Sequence, residues 1–162
     1  MPNDLPSPGT YLRMRREAQG LSLDDVAGLF HTQPPVSLAS RADLLRSIEA
    51  DLTPIDDDVV MPLIVAAENG SYRFDPLVLI RLVDLHAGSK VRFALPRLCD
   101  KCACSEQDAC VTRSPGRFPE ACGWIGANRC SACGPDDGDC GEAVPPPANE
   151  PVNDVQSGSV AA

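Results

Sequence analysis

The chain has 162 residues and a formal net charge of −9, and 43% of its residues are hydrophobic but only 4% aromatic. This length suits one ordinary domain, or two small units with a tail, whose core is built from Leu, Val, Ile and Ala. The acidic balance argues against a general binder of polyanions, and no run of residues is long and apolar enough to suggest a membrane span.

Five helices are predicted in the N-terminal part of the chain. The first runs from Gly9 to Gln19, because Gly20 can end a helix in the left-handed conformation. Ser22, with Asp25 three residues later, predicts a capping box for a second helix over Leu23–Phe30. These signals predict two short helices joined by a tight turn.

The third and fourth helices follow a loop that contains two consecutive prolines. Ser40 is predicted to cap the third helix, which runs to Ala50. Thr53 is predicted to cap the fourth, with Pro54 at its first position and an apolar run over Val59–Ala67 that continues past an internal proline. The apolar residues of both helices fit a compact all-α domain.

Asp75 and Pro76 open a fifth helix over Leu77–Ala87, which is so rich in Leu, Val and Ile that we expect it to be buried on most sides. A short strand over Val91–Leu95 is expected to lead into the cysteine-rich segment. The predicted fold class is an all-α helix-turn-helix domain of about five helices, followed by a small cysteine-rich, metal-bound module with little regular structure.

Two short helices and a third with a polar leading edge form a general helix-turn-helix pattern. Two sequence motifs make the pattern more specific. Residues 11–27 read Y-L-R-x-R-R-E-A-x-G-L-S-L-x-x-V-A, and residues 48–51 read I-E-A-D with Pro54 after them. Over residues 9–85 the chain resembles the Cro/phage-repressor-like (XRE) helix-turn-helix family. It departs from the family at Asp51, where Gly is usual, and in the turn before the third helix, which is longer by about eight residues.

The resemblance implies a transcriptional regulator that binds double-stranded DNA. The residues it places at the duplex are Ser40, Arg41, Asp43, Arg46, Arg13, Arg15 and Arg16. The first four lie on the third helix and would face the major groove, where Arg41 would bond a guanine, whereas the last three would lie near phosphates. The alternative is a solvated helix face in which the arginines pair with Glu17 and with Asp24 or Asp25. One copy offers few phosphate contacts, so DNA binding implies a homodimer.

Seven of the eight cysteines lie between residues 99 and 133. These predicted metal ligands are Cys99, Cys102, Cys104, Cys110, Cys122, Cys130 and Cys133. The outer C-x-x-C pairs predict one closed four-thiolate site. The inner three thiols predict a second site, completed either by Cys140 or by a thiolate shared with the first. Disulfides and unligated thiols are the alternatives, but the lack of a secretory signal after Met1 favours a cytoplasmic protein, in which disulfides are rare.

Two zinc ions are the expected cofactors, because tetrahedral thiolate sites suit zinc and the compact cysteine run of bacterial ferredoxins is missing. An iron–sulfur cluster is the alternative. The cysteine segment has no histidine, so we expect a closed structural centre and no enzymatic activity. Trp124 is expected to pack over the metal loops. The cysteine spacing also resembles a module of small phage and prophage proteins.

The predicted organisation is a flexible N-terminus (residues 1–7), a helical domain (8–98), a zinc module (99–141) and a disordered Pro/Ala-rich acidic tail (142–162). The leading hypothesis is a DNA-binding transcriptional regulator of phage or mobile-element type with a structural zinc module. The second is a protein-interaction module, such as an inhibitor of a host protein, that keeps the helix-turn-helix scaffold without reading DNA. The third is an iron–sulfur redox sensor.

Overall fold

The structure is a computed structural model that describes residues 5–29, 32, 34–89, 94–112 and 118–134. Within those ranges the elements are α1 (Pro8–Glu17), α2 (Leu23–Ala27), α3 (Leu38–Glu49), α4 (Asp57–Glu68), α5 (Pro76–His86), β1 (Val111–Thr112), β2 (Glu120–Ala121) and a 3-10 turn (Ser131–Cys133). A helical half followed by a cysteine-rich half with little strand confirms the predicted fold class at that level. None of the described helices has the length and apolar character needed to cross a membrane.

Two of the predicted helix starts are confirmed by their capping atoms. Ser22 Oγ accepts the Asp25 N–H at 3.1 Å, and the Asp25 carboxylate accepts the Ser22 N–H at 2.8 Å, so the capping box forms. Asp75 caps α5 by accepting two backbone N–H groups of its first turn. The second helix is shorter than predicted and ends at Ala27, whereas its predicted end, Phe30, lies outside the described residues.

The third and fourth helices begin elsewhere than predicted. Ser37, not Ser40, is the N-cap of α3, and its Oγ accepts the Ser40 N–H at 3.1 Å. Thr53 does not cap α4 but lies in the turn that closes α3, where its N–H donates to the Ser47 carbonyl at 3.3 Å. Asp56 caps α4 instead, and the helix continues through its internal proline. Several polar residues could cap each helix, and the packing of the preceding turn selects among them.

The helices enclose one apolar core. Its fully buried aliphatic and aromatic side chains include Tyr11, Leu12, Val26, Leu45, Ile48, Leu63, Tyr72, Val78 and Leu79. α2 packs on α3, and α1 packs on both α3 and α5. The expectation that α5 is buried on most sides is wrong: Leu77 and Ile80 are 62% and 42% exposed, because α5 is covered mainly on the face that meets α1.

The N-terminus of α1 rests directly on the C-terminal end of α3. A Cβ added to Gly9 would lie 2.1 Å from the Ile48 carbonyl oxygen, so this approach requires glycine. The Gly9 N–H donates to Asp51 Oδ1 at 2.9 Å, and Ser7 Oγ donates to Asp51 Oδ2. Asp51 has a φ of 55°, the left-handed conformation in which Gly is usual and Asp is tolerated. Asp51 thus adopts the conformation expected of Gly, and its carboxylate adds two hydrogen bonds to the start of α1.

The cysteine-rich segment lies against the helices. Leu98 and Ala103 belong to the same apolar core as the residues of α1 and α5. The Arg73 Nη2 atom donates to the Ala109 carbonyl at 3.0 Å. Of the strand predicted over Val91–Leu95, the first three residues lie outside the described residues and the last two are not in a strand. The described part of this connection, residues 94–98, is therefore not in a strand.

Candidate metal centre

The first C-x-x-C turn brings three thiols together. The Ala103 N–H donates to the Cys99 carbonyl at 2.9 Å, and the Cys99 N–H donates to the Cys104 carbonyl at 3.0 Å, so the loop closes on itself. Ala103 has a φ of 53°, and this left-handed residue reverses the chain between Cys102 and Cys104. The three thiols consequently lie close together, and all three residues are buried.

The second turn places Cys130 beside these three thiols. Cys130 pairs with Trp124 in an isolated β-bridge. The Ser131 N–H donates to the Gly123 carbonyl at 2.7 Å, and the Cys133 N–H donates to the Cys130 carbonyl at 3.2 Å. These backbone bonds fix the turn on which Cys130 sits.

Cys110 and Cys122 flank the two-stranded sheet. The Cys122 N–H donates to the Cys110 carbonyl at 2.8 Å, and the Cys110 N–H donates to Cys122 Sγ at 3.2 Å. The strands pair antiparallel, with Val111 opposite Ala121. The short sheet therefore holds these two partly buried thiols next to each other.

The six thiols form two overlapping groups of four. The first group consists of Cys99, Cys102, Cys104 and Cys130, and the second of Cys104, Cys110, Cys122 and Cys130. Within each group the sulfur atoms all lie within 4.8 Å of one another. The Sγ atoms of Cys102 and Cys130 are 3.7 Å apart, as are those of Cys104 and Cys122. A tetrahedron with zinc–sulfur bonds of about 2.3 Å has edges of about 3.8 Å, so these separations suit a bound metal ion.

Cys133 stands outside both groups. Cys133 is disulfide-bonded, whereas the other six described cysteines are free thiols. One of these free thiols, Cys99, has its Sγ 3.8 Å from Cys133 Sγ. Cys104 occupies the position in the first group that the sequence pattern assigns to Cys133. The two groups overlap in Cys104 and Cys130, whereas the predicted alternative had a single shared thiolate. The other alternative depends on Cys140, which lies outside the described residues.

An arginine of α1 reaches the thiols. Arg15 is 1% exposed, and its Nη1 donates to the Cys102 carbonyl at 3.2 Å and to Cys110 Sγ at 3.8 Å. Its Nη2 lies 2.6 Å from Asp108 Oδ2. Hydrogen bonds from Cys102 and Cys104 lower the pKa of the Cys110 thiol, and the Arg15 charge lowers it further. A cation at this place favours the thiolate, which is the form that binds metal.

Asp108 is a site residue that the sequence pattern did not identify. Its N–H donates to Ser105 Oγ at 3.1 Å, and its carboxylate also lies 3.7 Å from Arg73 Nη2. Burial raises the pKa of Asp108, and the charges of Arg15 and Arg73 oppose that rise. Its ion-pair partners Arg15 and Arg73 lie in the helical half of the chain, so no local spacing could have indicated the pairing.

Trp124 packs against the cysteine cluster, as predicted. The Arg97 guanidinium carbon lies 4.1 Å from the centroid of its ring, a cation–π contact. Arg129 Nε donates to Asp100 Oδ1 at 2.8 Å. Arg97 precedes the first cysteine turn and Asp100 lies within it, whereas Trp124 and Arg129 precede the second turn, so both contacts join the two parts of the cysteine segment.

Two of the arginines predicted to lie near phosphates have partners within the chain. Arg15 is buried at the thiols, so in this structure its guanidinium does not face a surface phosphate. Arg16 Nε and Nη2 donate to the two carboxylate oxygens of Glu49, each at 2.7 Å. Of the alternative partners, Glu17 has its Oε1 3.5 Å from Arg16 Nη2. The Asp25 carboxylate instead accepts the Ser22 N–H in the capping box.

The remaining candidates lie at or near the surface. On α3, Ser40 is exposed, Arg41 is partly buried, and Arg46 forms an ion pair with Asp43. Arg13 on α1 is exposed. Ser40 and Arg13 are thus exposed, whereas Arg41 is only partly exposed and Ser40 Oγ lies 2.9 Å from Ser37 Oγ.

Comparison with known proteins gives no match among family models, curated proteins or solved structures. The function is therefore inferred from the two thiol groups and from the surface of the helical unit.

Proposed function

We propose that the chain is a non-enzymatic, DNA-binding regulator of phage or mobile-element type in which a structural zinc centre fixes the cysteine segment on a helix-turn-helix unit. The observation that carries the proposal is the exposure of α3. Its buried face contains Ala42, Leu45 and Ile48, whereas residues 38–40 of its first turn are exposed. A helix that packs on its neighbour and exposes its first turn has the form of a recognition helix.

The DNA surface consists of Ser40 and Arg41 on α3 and Arg13 on α1. The N-terminal end of α3 is the positive end of the helix dipole, which favours a nearby phosphate. Arg41 supplies the fork of donors that suits a guanine edge. The net charge of −9 opposes contact with phosphates, so we propose that a homodimer is needed to collect enough phosphate contacts.

The zinc centre is closed and structural. Each four-thiol group consists of cysteines alone, and Cys99, Cys102, Cys104 and Cys130 are each about as buried as core residues. A catalytic zinc keeps one position for water and has a nearby acid or base, whereas four thiolates fill a tetrahedron. The role of the metal is to fold a segment with few large apolar side chains.

DNA binding is tested with a labelled pool of random-sequence duplexes and the full chain. We expect retention that weakens steeply between about 50 and 200 mM salt, and enrichment of a preferred sequence on repeated selection. Arg41→Ala should reduce affinity for the enriched sequence by about tenfold or more, and Arg13→Ala should reduce the salt slope by about one.

The matched control is Arg81→Ala, which removes the same charge from α5 and should leave affinity unchanged. Arg81 lies on a helix that packs on α1, and its Nη1 donates to the Ala94 carbonyl at 3.0 Å. If the chain shows no retention at low salt, or if the control variant loses as much affinity as Arg41→Ala, the proposed DNA surface is wrong.

The metal is tested by elemental analysis and native mass spectrometry of protein purified without added metal. Colourless protein with bound zinc is the expected result. A brown protein that contains iron and acid-labile sulfide would instead support the iron–sulfur sensor, and protein without metal would refute the zinc centre.

A protein-interaction module is the second candidate, and the exposed apolar face of α5 favours it. Leu77, Ile80 and Leu85 are exposed on one helix. This function would be supported if the unmodified chain binds a protein partner but no DNA, and if Leu77→Asp abolishes binding of that partner. Leu52→Asp is the control, because Leu52 is 79% exposed but lies in the turn after α3.

A further inference from the structure

We propose that the cysteine cluster holds two metal ions joined by two bridging thiolates, those of Cys104 and Cys130. This inference rests on the proposed zinc centre and specifies how the thiols are divided. The two groups of four share those two residues and no others. The remaining four thiols divide evenly, Cys99 and Cys102 in the first group and Cys110 and Cys122 in the second.

The number of thiols supports a shared arrangement. Two separate tetrahedral sites need eight thiolates, whereas two sites that share two thiolates need six. Six free thiols are present among the described cysteines, and Cys133 is not one of them. The six-thiol cluster therefore fills two tetrahedra without Cys133 and without any residue outside the described ranges.

Charge supports the same arrangement. Two dications with six thiolates carry a net charge of about −2, whereas two separate four-thiolate sites would carry about −4. The smaller charge is easier to bury, since the desolvation of a charged group grows with its charge. The positive charge of Arg15, whose Nη1 lies 3.8 Å from Cys110 Sγ, offsets part of the remaining negative charge of the cluster.

The hydrogen bonds of two thiols match their assigned terminal roles. Cys104 and Cys130 are each 1% exposed, but Cys99 and Cys102 are 1% and 0% exposed, so burial alone does not separate bridging from terminal thiols. Cys110 and Cys122 are only partly buried, and each accepts a hydrogen bond: Cys122 Sγ from the Cys110 N–H at 3.2 Å, and Cys110 Sγ from Arg15. Terminal thiolates keep lone pairs for such donors, whereas a bridging thiolate commits an additional lone pair to the second metal.

The direct test uses the full-length chain loaded with cadmium-113 under reducing conditions. Proton–cadmium correlation spectra of the unmodified sequence should show two cadmium resonances. The β-protons of Cys104 and Cys130 should correlate with both, and those of the other four cluster cysteines with one. Spectra in which each cysteine correlates with a single cadmium would overturn the bridged arrangement, because the two sites would then be separate.

Metal counts in variants give a second measurement, made by native mass spectrometry of the zinc form at a fixed chelator concentration. Cys133→Ser should retain two zinc ions, and Cys110→Ser should lose one. Cys104→Ser should lose both, because each metal loses a ligand. If Cys133→Ser loses a zinc ion, the bridged arrangement is wrong.

The outcomes also separate this inference from the proposed function. An unmodified chain that binds one zinc ion keeps the structural centre but refutes the bridged pair. A chain that binds no metal refutes both. If the unmodified chain binds two zinc ions and both Cys104→Ser and Cys133→Ser bind only one, the result would support two separate sites and refute the bridge.

Discussion

Arg15 of α1 and Asp108 of the cysteine segment form a buried ion pair, with Nη2 and Oδ2 2.6 Å apart and side chains that are 2% and 9% exposed. The same guanidinium donates to the Cys102 carbonyl at 3.2 Å. A single side chain therefore neutralises a buried carboxylate, satisfies a backbone carbonyl of the metal loop and lies beside a thiol. We therefore expect the stability of the helical unit to depend on the cysteine segment.

Replacing Arg15 with Met should destabilise the protein by about 3–5 kcal/mol, because it leaves the Asp108 carboxylate buried without its partner. Urea unfolding of the metal-loaded protein measures the change. Arg13→Met, the same substitution on the exposed face of α1, should stay within about 0.5 kcal/mol. The double variant Arg15→Met with Asp108→Leu should recover part of the loss, since it removes both charges. A double variant less stable than Arg15→Met would contradict this account.

Glu49→Gln should destabilise the protein by about 2–3 kcal/mol, because Arg16 would lose a paired, largely buried carboxylate. Both Arg16–Glu49 contacts are 2.7 Å long, and the Glu49 side chain is 5% exposed. The hydrogen bond to Glu49 also raises the pKa of Arg16. Thermal and urea unfolding provide the measurement.

Glu17→Gln is the matched control for that prediction, since Glu17 faces the same arginine from the surface. Its carboxylate is 3.5 Å from Arg16 Nη2, and its side chain is 60% exposed. Exposed pairs contribute little, so this variant should change stability by less than about 0.5 kcal/mol. Equal losses in the two variants would show that Glu49 has no special role.

Gly9→Ala should destabilise the protein by about 3 kcal/mol or more, because α1 would have to move away from α3. The new Cβ would lie 2.1 Å from the Ile48 carbonyl oxygen, which is backbone and cannot rotate aside. Gly126→Ala is the control: its Cβ would meet only Arg129 Cβ, at 3.7 Å, an ordinary contact. Unfolding midpoints of the two variants are compared, and a Gly9→Ala protein as stable as the control would show that α1 does not rest on α3 as described.

Features that depend on a few neighbouring residues could be predicted from the sequence. The capping box of Ser22 and Asp25 and the Asp75 cap before Pro76 are formed within one helical turn, and both are present. The convergence of six of the cysteines was also predictable from their clustering, but the C-x-x-C spacing assigned Cys133 to the first group, where the structure has Cys104. Local chemistry was sufficient for the two caps.

Features that depend on distant residues could not be predicted in this way. The face of α1 that carries Arg15 looks solvent-exposed in the sequence, since only the folded cysteine segment covers it. Likewise, Ser37 and Ser40 are both good caps, and tertiary packing decides that Ser37 caps α3. Asp51 stands where the resembled family usually has Gly, yet its backbone adopts the left-handed conformation.

Removal of the metal should lower the stability of the helical unit as well as that of the cysteine segment. Leu98 and Ala103 belong to the helical core, and Arg15 and Arg73 bind the segment's carbonyls and Asp108. Because the segment is expected to fold only with metal, a chelator strong enough to extract zinc should release these contacts and lower the midpoint of helix melting by circular dichroism. Restoring zinc under reducing conditions should return the midpoint to its original value. A midpoint that does not change on chelation, with loss of zinc confirmed by mass spectrometry, would show that the helices are stable without the centre and that its contacts with α1 contribute little.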